Sequence, residues 1–245
     1  MKPGGDRQAQ LDALASIEQR AAALNFTGQF RVVTALKDAA SSAFILPEVR
    51  AKALLTLGKA AAWFSDWTAR KQAAEALLEA ATVDRPSDPR WEERPYGWRG
   101  LASVAGKLER GDDSLAQSIV EAVLKEDRDG PRGQERTMAM LVLSDLLQGS
   151  GPGVVYREPG LAQRVEDQFL SPLENGGVDR LCSDSDRGAD YRYLLVRSLY
   201  MMSWVQPDLR NIRQRTAQVL EDLSRRDPSS DLRQLAHLYA QNLRR

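Results

Sequence analysis

At 245 residues, with 42% hydrophobic and 28% charged side chains, the chain can bury a core without metals or disulfides, and its balance suits an elongated helical protein. Lysine plus arginine and aspartate plus glutamate both number 34, so no global field draws in nucleic acid or an anionic membrane. One cysteine, Cys182, excludes an intramolecular disulfide and points to a cytoplasmic location; the polar start MKPGGDRQAQ has no signal core, and no apolar run reaches membrane length.

Good helix formers dominate the chain, and no run alternates as a strand does; Val154–Tyr156 is too short to found a sheet. The first helix is expected from about Asp6 to Leu24, with Leu11, Leu14, Ile17, Ala21 and Leu24 on one face. Asn25 ends it, and Thr27 is the expected cap of a second helix through Val32, Val33, Leu36 and Ala40. A third opens at Pro47. Ser65 or Asp66 caps a fourth, whose inner face holds Ala69, Ala73, Ala76, Leu77 and Ala80. These four read as two antiparallel hairpins. Trp63 and Trp67, four residues apart, are assigned to the core on their bulk.

Asp84–Arg94, DRPSDPRWEER, reads as a long loop between hairpins. Helix resumes through Trp98, Leu101, Val104, Ala105 and Leu108. Asp112 or Asp113 caps the next, with Leu115, Ile119, Val120, Val123 and Leu124. Gln134–Leu147 follows as a strongly apolar helix. Gln148–Gly153, QGSGPG, is the candidate hinge; with the residues up to 158 it would divide a single domain, 1–245, into 1–147 and 159–245. Pro159–Phe169 is helix, and Pro172–Gly188 reads as loop-rich. Three segments close the chain: Asp190–Val205, Pro207–Arg225 and Ser229–Arg244, with Asp208 and Ser230 as caps of the last two.

The segment Leu46–Trp63, LPEVRAKALLTLGKAAAW, carries the most information. Val49, Ala53, Leu54, Leu57 and Ala61 recur at helical spacing, and Gly58 stands where another helix can come close. The order P-x-V-R-x-x-A-x-x-x-L-G resembles the second helix of a HEAT-type repeat. PSSDLRQLAHLYAQNL, from Pro228, echoes it. Helix pairs begin roughly every 40 residues, in the range of such repeats and away from the 34 of tetratricopeptide arrays. The resemblance implies an all-α fold, a short solenoid of antiparallel helical hairpins. It also implies a protein-interaction scaffold whose second helices hold a protein partner, with Arg50 and Lys52 as candidates. In such repeats an arginine after the valine also serves packing between repeats. HEAT-like proteins include bilin lyases and alkyl-DNA glycosylases, which are the catalytic alternatives.

Local chemistry is sparse. One histidine, His237, and one cysteine make no metal site at zinc spacing. Asp184 and Asp186 begin like a calcium loop, but Leu195 stands where an oxygen donor is required. Cys182 with His237 has no local support as a catalytic dyad, and the glycines of 149–153 follow a helix rather than a strand, so they do not make a phosphate loop. No cofactor is expected. The densest candidate contact is the aromatic and arginine cluster Arg90, Trp91, Arg94, Tyr96, Trp98 and Arg99, a hot-spot composition; the two tryptophans also have the bulk to plug a gap between hairpins. The C-terminal third is rich in arginine, among them Arg192, Arg197, Arg213, Arg215, Arg226, Arg233 and Arg244. Acids interrupt the stripe and no aromatic interleaves it, so a solvated face is preferred to nucleic-acid binding.

Overall fold

A computed structural model describes residues 7–84, 88, 90–108, 113–130, 133–148, 159–205 and 209–245. Among them there is helix and turn but no strand. The expected hinge beyond Gln148, the Val154–Tyr156 segment and Asp208 lie outside the described residues. Contacts divide the chain into two units, Met1–Leu115 and Ala116–Arg245.

Unit 1 contains α1 (Arg7–Arg20), a 3-10 turn (Ala21–Ala23), α2 (Phe26–Ser41), α3 (Pro47–Ala61), α4 (Trp67–Ala81), a second 3-10 turn (Trp91–Glu93) and α5 (Arg94–Ala105). The α2 cap is Asn25, whose side chain accepts from the Gly28 amide at 2.9 Å, and Thr27 lies inside the helix. Asp66 caps α4, accepting from the Ala69 amide at 2.8 Å. Asp66→Ala is expected to cost about 1 kcal/mol, read as a lower urea midpoint at unchanged slope.

Helix α3 is the hub, packed against α1, α2, α4 and α5. Pro47 starts it, because the missing amide of a first-turn proline costs nothing there. Val49, Ala53, Leu57, Ala60 and Ala61 are fully buried. Gly58 meets α5 at Gly100: a Cβ on Gly58 would stand 2.2 Å from the Gly100 carbonyl oxygen. The glycine pair lets two backbones touch, as the sequence led one to expect of Gly58.

Two readings are corrected. Trp63 and Trp67 are 68% and 51% exposed, because the tight turn from α3 to α4 turns one aromatic inward and that residue is Phe64. The expected loop up to Arg94 ends earlier, since the chain coils at Trp91 and α5 begins at Arg94, with Pro95 accommodated in its first turn.

In unit 2, α6 (Asp113–Asp129, its first residues in unit 1) is followed by α7 (Gly133–Gln148), α8 (Pro159–Phe169), a 3-10 turn (Ser171–Gly176), α9 (Gly177–Ser183), α10 (Ala189–Val205), α11 (Leu209–Arg226) and α12 (Ser230–Arg244). α10 packs on α7, α11 and α12, and α9 on α11. Pro172–Gly188 is thus mostly helical rather than loop. Asn175 (φ 54°) and Gly176 (φ 92°) bend the chain left-handedly between the turn and α9, and it was these residues that read as loop. Ser229, one residue before the expected cap, caps α12.

A repeated device ties the hairpins. The fourth residue of α3, α4, α7, α10 and α12 is an arginine: Arg50, Arg70, Arg136, Arg192 and Arg233. Each donates to a backbone carbonyl five or six residues upstream, namely Ile45 (2.8 Å), Phe64 (2.5 Å), Gly130 (2.8 Å), Arg187 (2.9 Å) and Asp227 (2.7 Å). The guanidinium therefore braces the turn entering its own helix. Arg50 and Arg192 also form buried pairs with a later carboxylate: Arg50 Nη2 lies 2.6 Å from Glu93 Oε1, and Arg192 Nε lies 2.8 Å from Asp227 Oδ2, all four side chains buried.

Candidate protein-interaction surface

The residues singled out between Arg90 and Arg99 do not form one patch. Trp98 is fully buried, and Arg94 is 4% exposed. Arg94 stacks on the half-buried Trp91 at 4.5 Å and donates to the Val83 carbonyl at 3.0 Å. Arg90 is held by Asp88 at 2.9 Å and Glu79 at 3.4 Å, and those acids raise its pKa further. Tyr96 and Arg99 are exposed. Helical spacing explains the division: Arg94, Gly97, Trp98 and Leu101 face α3 and α4, where a Cβ on Gly97 would stand 2.6 Å from the Ala81 nitrogen. Arg94, named in the candidate contact cluster, is therefore a buried packing residue.

The resemblance-derived pair fares similarly. Arg50 is buried against Glu93, so it packs and does not present itself to a partner. Lys52 sits 2.9 Å from Glu18, which also takes Thr56 at 2.9 Å and Lys59 at 3.2 Å. Burial alone would raise the Glu18 carboxyl, but these hydrogen bonds outweigh it and hold the group below the usual carboxylate range.

Sequence reading missed a second surface. Along α10, Tyr193, Arg197, Tyr200 and Trp204 fall four, three and four residues apart, one face of a helix. Tyr239 of α12 stacks on Tyr200, ring centroids 4.0 Å apart and planes at 10°. Trp204 meets Tyr200 edge-on at 6.0 Å, and Arg213 of α11 lies over Trp204 at 4.2 Å. Arg213 is fixed there by donating to the Ser203 carbonyl at 3.1 Å. Tyr193, Trp204 and Leu238 stay substantially exposed. At the other edge Arg197 reaches α7, donating to Gln148 Oε1 and standing 3.7 Å from Asp145. Burial raises the Asp145 carboxyl, and Arg197 offsets part of the rise. Burial also raises the Tyr239 hydroxyl above its usual value, with Tyr193 adding to the shift.

Aromatics do therefore interleave the C-terminal arginines, contrary to the expectation. They converge from α10 and α12, some 40 residues apart in the chain. The arginines themselves are largely spoken for: Arg215 lies 2.7 Å from Glu174, Arg226 2.6 Å from Asp179 and Arg244 2.6 Å from Glu221. Cys182 contacts Asp227 at 3.9 Å, and His237 pairs with Gln241 on the exposed side of α12. Burial, then Asp227, pushes the Cys182 thiol up, away from the reactive thiolate.

No protein-family model matches the chain, and no curated protein matches it in sequence. Solved structures do. An engineered protein superposes with a TM-score of 0.60 at 17% identity, over 98% of this chain and 92% of the other. A designed armadillo repeat protein gives 0.59 at 14%, over 98% and 95%. A third structure, of computationally designed armadillo repeat proteins for modular peptide recognition, gives 0.56 at 17%, over 97% and 94%. At such identities the likeness is one of fold. The architecture is that of helical-repeat solenoid proteins, hairpins in tandem, as the Pro47 segment led one to expect. No helix among the described residues is long and apolar enough to cross a membrane.

Proposed function

We propose that the chain is a non-catalytic interaction scaffold that holds an extended peptide segment of a protein partner on the face shared by α7, α10 and α12. The observation that carries this reading is the outward aromatic ladder Tyr193, Tyr200, Trp204 and Tyr239, with Arg213 laid on Trp204. Tyrosine, tryptophan and arginine are the residues that anchor interfaces, because they bury much area while losing few rotamers. The ladder from Tyr193 to Trp204 runs roughly 16 Å along the helix, a length matched by about five extended residues. A designed neighbour of the same fold is a peptide-recognition protein, which supports the reading by analogy. In unit 1, Tyr96 and Arg99 with the edge of Trp91 and Arg90 form a second contact region, for which buried Arg94 and Trp98 are the supports.

Linear peptides displayed on phage and panned against the protein test this. Enriched peptides are expected to bind Trp204→Ala and Tyr239→Ala at least about tenfold more weakly, while both variants keep stability within about 1 kcal/mol of wild type. Enriched peptides that bind both variants like wild type would overturn the assignment. Stacked aromatics beside arginines are also how single-stranded nucleic acid is held. A poly-dT oligonucleotide is therefore run in parallel; binding that needs Trp204 and falls steeply with salt would replace the peptide by a nucleic acid.

A further inference from the structure

Unit 2 has an open cavity of about 790 Å³ between α6, α8, the 3-10 turn at Ser171–Gly176, α9 and the start of α10. This volume lies within the range of small-molecule sites. Its walls include Leu124, Phe169, Leu173 and Leu195. Its floor is polar. Tyr191 donates to Asp127 Oδ1 at 2.5 Å, and Gln168 donates to Asp127 Oδ2 at 3.0 Å. Arg187 Nη2 stands 3.5 Å from the same Oδ2. Asp127, a buried carboxylate, therefore has both oxygens engaged by groups of this chain. Burial, with Asp127 beside it, raises the Tyr191 hydroxyl well above its ordinary value, so it remains a donor.

What the floor has left over is donor capacity. Arg187 Nη1 takes Asp184 at 3.1 Å and Nη2 faces Asp127 at 3.5 Å, which leaves each nitrogen a second hydrogen to donate. Arg180, also on the wall, has no ion-pair partner among the described residues. Among the charged lining residues cations outnumber acids. A cationic ligand would find the one deep carboxylate already taken; a neutral one would leave the guanidinium donors unanswered.

We propose that this cavity binds a small amphipathic carboxylate, its oxyanion held by Arg187 and Arg180 and its aryl or branched alkyl body among Leu124, Phe169, Leu173 and Leu195. A guanidinium offers two parallel donors to a carboxylate, and the apolar wall accounts for the rest of the molecule. The site is independent of the aromatic face of α10.

The test is calorimetric titration of the full chain with benzoate, naphthalene-1-carboxylate and 4-methylpentanoate, each beside its matching alcohol. At least one carboxylate is expected to bind saturably with one site and about tenfold more tightly than its alcohol. Arg180→Ala, a change at an exposed side chain that leaves the fold intact, is expected to remove most of that preference and to leave alcohol binding unchanged. Leu173→Trp, which fills the cavity, is expected to weaken acid and alcohol alike. Equal binding of every acid and its alcohol, saturable binding by none of the acids, or a preference that survives Arg180→Ala would each overturn the proposal.

Discussion

Arg50→Ala is expected to destabilise the protein by about 3–5 kcal/mol, because it leaves Glu93 buried without its cation. The loss is compounded at the Ile45 carbonyl, which the same guanidinium holds at 2.8 Å. Urea unfolding followed by far-ultraviolet circular dichroism measures it. The companion experiment separates a lost attraction from a stranded charge. Arg50→Met with Glu93→Leu removes both ions in similar volume, and the double variant is expected to be more stable than Arg50→Ala alone. A cost below about 1 kcal/mol for the single variant would mean that the pair is solvated and that the brace is dispensable.

Gly58→Ala should cost about 3 kcal/mol, at the upper end for overpacking. The added methyl would meet backbone and not a yielding side chain: the Gly100 carbonyl oxygen at 2.2 Å and its Cα at 2.6 Å. Relief requires α3 and α5 to separate, and with them the buried rows of Leu54, Leu57, Trp98 and Leu101. Gly160→Ala is the control. That residue is exposed in α8 with nothing within 4 Å of the new atom, so the change is expected to stabilise by about 0.5–1 kcal/mol through the unfolded chain. Equal effects at both sites would mean that the crossing has slack and that the glycine serves only the helix's own conformation.

Much of the fold was legible because it rests on local rules. Proline at the start of α3, the Asp66 cap and helical runs of alanine and leucine all act within a few residues. Gly58 was legible as well, because a residue without a side chain in an apolar helical run marks a place where another helix can come close. The parts that were not legible depend on where helices begin relative to each other. The start of α5 at Arg94 rotates Arg94 and Trp98 inward and leaves Tyr96 and Arg99 outside, and no composition rule gives that phase. Trp63 and Trp67 lost the core to Phe64, a choice made by one turn. An arginine stands at the fourth position of six helices, and the five that brace their own entry form a pattern only once the helix starts are known. The aromatic ladder needed α10 and α12 to be neighbours before Tyr200 and Tyr239 could stack.

The brace at Arg192 reaches further than the turn it holds. Its Nη1 grips the carbonyl of Arg187, and the side chain of that same Arg187 stands in the cavity beside Asp127 and Asp184. Tyr191, the next residue before the brace, supplies the hydroxyl on the cavity floor. A fixture repeated along the chain for mechanical reasons thus doubles, in this one hairpin, as the mount that aims a cation. Lengthening or shortening the Asp184–Gly188 turn would unseat the aim before it unfolded the helices. New specificity can then be obtained by exchanging that turn alone while the rest of the array stays as it is.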